Sequence, residues 1–92
     1  MPRTEQLAAV LDTAAARPLA EMLRERLAEK EALLLDGEAV IQLGQACLQV
    51  MLSAQQSASE HGRTLAVSRP SETMRIMMTL AGCAGLLAAT EN

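Results

Sequence analysis

Cys47 and the single histidine, His61, are the side chains whose types suit nucleophilic catalysis. A thiolate nucleophile needs a base within hydrogen-bond reach. The stretch "CLQVMLSAQQSASEH" that joins them reads as one continuous helix, and fourteen residues of helix span about 21 Å. His61 is therefore out of reach as a base and reads as an exposed residue at a helix end. Cys47 reads first as a small buried thiol. Its place near a helix start, where thiol pKa values fall, keeps a thiol-dependent enzyme or redox sensor as an alternative. Gly44 precedes the same helix, a position that suits anion binding. No second glycine and no Gly-Lys-Ser/Thr string follows, so a nucleotide cradle is not expected. Asp12, Asp36 and Glu38 fall at the ends of apolar runs, a common place for sites in α/β folds. They read first as caps and turns. Met74, Met77, Met78 and Ala81 recur at helical spacing and read as a core face, with an adaptable binding face as the alternative. No catalytic constellation is complete, so no enzyme, cofactor or metal is expected from these residues.

The bulk composition narrows the partners. Half of the 92 residues are apolar, yet none is aromatic, so Leu, Ala, Val, Ile and six Met must fill the core. The net charge of −3, with both signs interleaved, lacks the basic patch of a nucleic-acid binder. The missing aromatics also remove base stacking. Two cysteines are too few for a disulfide framework and show no metal-ligand spacing. The start, "MPRTEQLAAVLDT", lacks the apolar core of a signal peptide, and a cytoplasmic, reducing location is the expectation. Ala39 to Ser59 is uncharged but carries five Gln and three Ser. Ile76 to Thr90 is apolar but shorter than the ~20 residues of a spanning helix. No membrane insertion is expected.

Several elements are needed to position these residues. Short apolar runs alternate with helical patterns, which points to an α/β domain. The pattern predicts a first strand over Gln6 to Leu11 and a helix over Ala15 to Glu29, with Pro18 in its first turn. Leu19, Leu23, Leu27 and Met22 give that helix its apolar stripe. A strand is predicted over Ala32 to Asp36, a second helix over Gln45 to Ser59, and a third strand over Thr64 to Ser68. Leu48, Met51, Leu52 and Gln55 line one side of the second helix, and Gly62 is its stop signal. Ser71 caps a third helix with Glu72 in its first turn. Gly82 and Gly85 mark its end, and Leu86 to Ala89 is a candidate last strand.

The strings "AVLDTAAARPLAEMLRERL", "ALLLDGEAV", "LGQACLQVML" and "EHGRTLAVSRPSETMRIMMTLAGCAGLL", in that order and spacing, resemble a STAS domain. This is the domain of sulfate transporters and anti-sigma-factor antagonists. The resemblance runs from about Leu7 to Leu87 of a single domain spanning residues 1–92. It implies a small α/β fold, a mixed β-sheet with helices packed mainly on one face. It also implies a non-catalytic protein-interaction module in bacterial regulation.

Family members of this kind carry an Asp-Ser-Ser-Gly-Leu or Asp-Thr-Ala-Gly-Leu string at the start of the second helix. A partner kinase phosphorylates a hydroxyl there, and the added charge releases the partner. The matching string here is "GQACL", Gly44 to Leu48. Gly44 takes the place of the aspartate. Gln45 and Ala46 take the two places where the hydroxyl falls, and Cys47 takes that of the glycine. The resemblance thus implies a degenerate phosphosite at Gln45 and Ala46. It implies a partner surface formed by Gly44, Gln45, Ala46, Cys47 and Gln49. "CLQVML" is most similar to the small STAS proteins of chemotaxis clusters. The similarity extends to the cytoplasmic STAS subunit of a lipid-transport ATPase complex. The implied partner is a protein: kinase-like, receptor-like or an ATPase subunit. The small apolar C-terminal segment also leaves room for a homodimer.

Overall fold

Three consecutive leucines, Leu33 to Leu35, sit at the centre of the fold in a computed structural model that describes residues 3–29 and 31–87. They belong to β3 (Leu33–Asp36), which lies between β1 (Arg3–Gln6) and β5 (Leu65–Ser68) in a three-stranded sheet. Both pairings are parallel: Leu33 is in register with Arg3 and Leu65, and Asp36 with Gln6 and Ser68. A second, two-stranded parallel sheet joins β2 (Val10–Leu11) to β4 (Gln42–Leu43). The helices are α1 (Thr13–Leu27), α2 (Gln45–Glu60) and α3 (Glu72–Leu80), followed by a 3-10 turn at Ala84–Leu86.

The two-residue period of the strands sorts the sheet into faces. Leu33, Leu35, Leu65 and Val67 fall on one side and are buried with Leu19 and Leu23 of α1 and Leu48, Met51 and Ala58 of α2. Each of the Leu, Val and Met side chains contributes about 1.5–3 kcal/mol through burial. Leu34 and Ala66, on the other side, are only half-buried. This is a small α/β domain with helices mainly on one face.

The first expected strand is divided in two. The chain pairs with β3 earlier, over the polar residues Arg3–Gln6. Leu7 N–H still donates to Asp36 O at 2.9 Å, and the chain then bends at Ala9 and leaves to pair with β4. An edge strand needs no apolar alternation, so its sequence carries little signal. The first helix also begins before Ala15. Asp12 is its N-cap, with Oδ1 accepting from Ala15 N–H at 3.1 Å, so Pro18 lies past the first turn. Ala14 and Pro18 are both exposed, so the carbonyl that Pro18 leaves without a donor lies on the solvent side.

The remaining expected elements are found within a residue or two. The stop signals at Gly62 and Gly82 both have φ in the left-handed region, 72° and 75°. The apolar face of α3 is narrower than its sequence implies. Met74 and Met78 are fully buried, whereas Met77 and Ala81 are exposed. Of the expected last strand, Leu86 closes the 3-10 turn and Leu87 makes a single parallel bridge to Val67. Ala88 and Ala89 lie outside the described residues.

Candidate functional site

The start of α2 is built by packing rather than by a local cap. Gly44 is the N-cap residue, with extended backbone (φ −95°, ψ 172°) and no side chain to accept a hydrogen bond. Its N–H donates to Leu11 O at 2.8 Å, which ties the helix start to β2. A Cβ at this position would lie 3.4 Å from Leu11 O and 3.9 Å from Asp12 Cα, ordinary contact distances. The fold therefore tolerates a larger residue there. The first turn holds no acidic side chain. The leading N–H groups of a helix carry partial positive charge and have no partner within the helix. Here those of Gln45 and Ala46 have no partner among the described residues and are left for solvent or for an acceptor on another molecule, while Cys47 is fully buried.

The residues singled out in this stretch divide by exposure. Gln45 and Gln49 are exposed, Gly44 and Ala46 are half-buried, and Cys47 is fully buried. The Cys47 thiol donates to Asp12 O at 3.4 Å, and burial, then the charge of Asp12, pushes its pKa up. A buried thiol held in its protonated form is the opposite of a reactive one. Cys47 thus anchors the helix start to α1 from beneath and adds no exposed surface. Gln49, with Ser53, forms the crest between two shallow grooves, one against α1 and one against the beginning of β5. His61 caps the far end of α2, with Nδ1 2.9 Å from Ser57 O. It stands apart from Cys47 by the length of the helix.

A second group of charged residues gathers where β3 and β5 end. Asp36 is buried. Its Oδ2 accepts from Arg69 Nη2 at 2.6 Å, and its Oδ1 accepts from Glu38 N–H at 3.0 Å. The same Arg69 nitrogen lies 2.9 Å from Glu38 Oε1. The Arg69 guanidinium, and then the Glu38 N–H, hold the Asp36 carboxyl below its ordinary pKa. Arg69 itself has φ 48°, a left-handed backbone unusual for a non-glycine residue. Asp36 and Glu38 have the turn roles their positions imply. Arg69 is the residue that sequence reasoning missed. Its only signal is positional: it follows Ser68, which the register sets beside Asp36 one strand away. Asp12, Asp36 and Glu38 do not converge into a paired-carboxylate site, since Asp12 caps α1 and the other two share Arg69. Among the described residues no cluster of three His, Cys, Asp or Glu side chains suits a metal ion. Among them, too, no helix is long and apolar enough to cross a membrane.

The described residues form a parallel α/β sheet under α1 and α2, with an uncapped helix start that exposes Gln45 and Gln49. A family model described as "Mlab, STAS domain" matches residues 6–88, and the chain belongs to the STAS domain family. No curated protein matches the chain. Family membership makes this an anti-sigma-factor-antagonist-like protein-interaction module.

Proposed function

We propose that this chain is a non-catalytic adaptor of bacterial signalling, chemotaxis-associated and cytoplasmic. It docks a protein partner through Gly44, Gln45, Ala46 and Gln49 without a phospho-release step. The observation that carries this reading is Gln45: it is exposed at the start of α2, where the family places its hydroxyl, yet it has no hydroxyl to phosphorylate. Ala46, the other position, is half-buried and equally unable to accept a phosphoryl group. In a switchable member, phosphorylation adds about 1.5–2 negative charges to the docking surface and expels the partner. Here the surface keeps its neutral amides, so docking stays constitutive. The burial of Cys47 supports packing over redox chemistry at this site.

The test combines the chain with a kinase that phosphorylates STAS proteins and maps any phosphate by mass spectrometry. No incorporation over residues 44–48 is expected. Stoichiometric phosphate there would overturn the absence of a switch. Gln45→Ser restores a hydroxyl and is expected to restore incorporation. Affinity for a purified partner should fall at least about tenfold in Gln45→Arg, which places bulk and charge in a small neutral contact. Co-purification with an ATPase subunit, rather than a kinase-like or receptor-like protein, would replace the signalling assignment by that of a lipid-transport complex.

A further inference from the structure

Among the described residues, the β1 edge of the three-stranded sheet is the more open of its two edges. The β5 edge is partly closed by the Val67–Leu87 bridge and by Gln55, whose Nε2 donates to Leu65 O at 3.5 Å. At the β1 edge the strand spends its odd-numbered backbone groups on β3: Arg3 N–H donates to Ala32 O at 2.7 Å and Leu7 N–H to Asp36 O at 2.9 Å. Backbone groups alternate sides along a strand, so those of Thr4 and Gln6 face outward. Thr4 and Gln6 are both exposed, and no described element covers them.

The charges on this strand select one occupant. The odd side chains lie towards α1: Arg3 pairs with Glu29 at 2.7 Å, and Glu5 with Arg26 at 2.7 Å. Consider a second copy added antiparallel about a two-fold axis. With Thr4 on the axis, Thr4 faces Thr4 as a hydrogen-bonded pair, and each Arg3 lies opposite the partner's Glu5. One step either way puts Arg3 opposite Arg3 or Glu5 opposite Glu5, which like-charge repulsion disfavours. The Thr4-centred arrangement pairs the outward backbone groups of Thr4 and sets opposite charges across from each other. We infer that β1 is a self-pairing edge, through which two copies join their three-stranded sheets into one continuous sheet with Thr4 on the two-fold axis. The strand is four residues long, so the contact is small and the dimer weak. It uses a different part of the molecule from the α2 surface and leaves that surface free.

Sedimentation of the 92-residue chain tests this, from about 10 µM to about 1 mM, the range of weak association. A monomer–dimer equilibrium is expected, and a monomer throughout would overturn the inference. Thr4→Pro removes an N–H that no contact within the monomer uses, and edge strands accept proline. It should weaken dimerisation at least about tenfold, because both symmetric hydrogen bonds are lost, while circular dichroism stays unchanged. A dimer of undiminished affinity in Thr4→Pro would place the interface elsewhere and overturn the inference. Amide exchange on the unmodified chain decides the matter if the variant does not fold. The Thr4 N–H should exchange more slowly as concentration rises, and no change across a range where dimer forms would equally overturn it.

Discussion

At the start of α3, Ser71 Oγ accepts from Met74 N–H at 3.0 Å and Glu72 stands in the first turn. At the start of α2, Gly44 offers no side chain and the first turn has no acid. Both helices are well packed, through Met74 and Met78 in one and Cys47, Leu48 and Met51 in the other. The difference lies in how the terminal N–H groups are satisfied. In α3 the chain satisfies that of Met74 itself and adds the charge of Glu72, and the preceding turn is strapped by the Asp36–Arg69 pair and by Ser71 N–H donating to Gly37 O at 3.0 Å. In α2 the positioning comes from Leu11 and Asp12, and the N–H groups of Gln45 and Ala46 stay open. A capped helix start is a finished structural part, whereas an uncapped one that is held rigidly from behind is suited to meeting a partner.

The largest effect should come from removing the packing beneath α3. Met74→Ala leaves a cavity under Gly37 and is expected to lower stability by about 2–5 kcal/mol in urea denaturation. Gly37→Ala is next. Its Cβ would approach Met74 Sδ to 2.6 Å and Pro70 Cα to 3.3 Å, a clash expected to cost about 1–3 kcal/mol. Combining the two should cost less than their sum, since the shortened side chain makes room; strict additivity would break the account of this contact.

Ser71→Ala removes the cap and is expected to destabilise by about 1 kcal/mol in the same measurement. The strap ahead of α3 has a pH signature. The folded state lowers the Asp36 pKa, so its contribution is present above the ordinary carboxylate range and is lost as pH falls through the folded value. Asp36→Asn should therefore be less stable than the unmodified chain at neutral pH. The gap between their denaturation midpoints should close as pH drops below about 4. The smallest effect is expected at the other helix. Gly44→Asp supplies the missing cap in a backbone conformation that accepts it, and should stabilise by a few tenths of a kcal/mol. A loss of stability instead would show that Gly44 is needed for packing, and the contrast between the two helix starts would fail.

The legible parts of this molecule are those where local chemistry and burial agree. Leu33 to Leu35 announce a covered strand, Leu19 and Leu23 a helix face, Ser71 and Glu72 a cap. The order of strings from "AVLDTAAARPLAEML" to "MRIMMTLAGCAGLL" was enough to reveal the STAS family. The polar strand Arg3–Gln6 escaped because an edge strand at the rim buries little and so shows no apolar period. Val10–Leu11 lies inside the expected first strand, but its partner Gln42–Leu43 escaped because two residues are too few to display any period. Arg69 escaped because an arginine before proline in a loop has no pattern until the register brings Asp36 beside it.

By itself the sequence determined an aromatic-free α/β chain, its helices and their stop signals, and the absence of a hydroxyl at Gln45 and Ala46. These follow from side-chain type and spacing along one segment, which fold-independent chemistry controls. The tertiary structure decided that Cys47 faces inward while Gln45 and Gln49 face out, that Asp36 is neutralised by Arg69, and that Thr4 lies on an open edge. Each of these depends on groups far apart in the chain, brought together only when the parallel register and the packing of α1 against α2 are set.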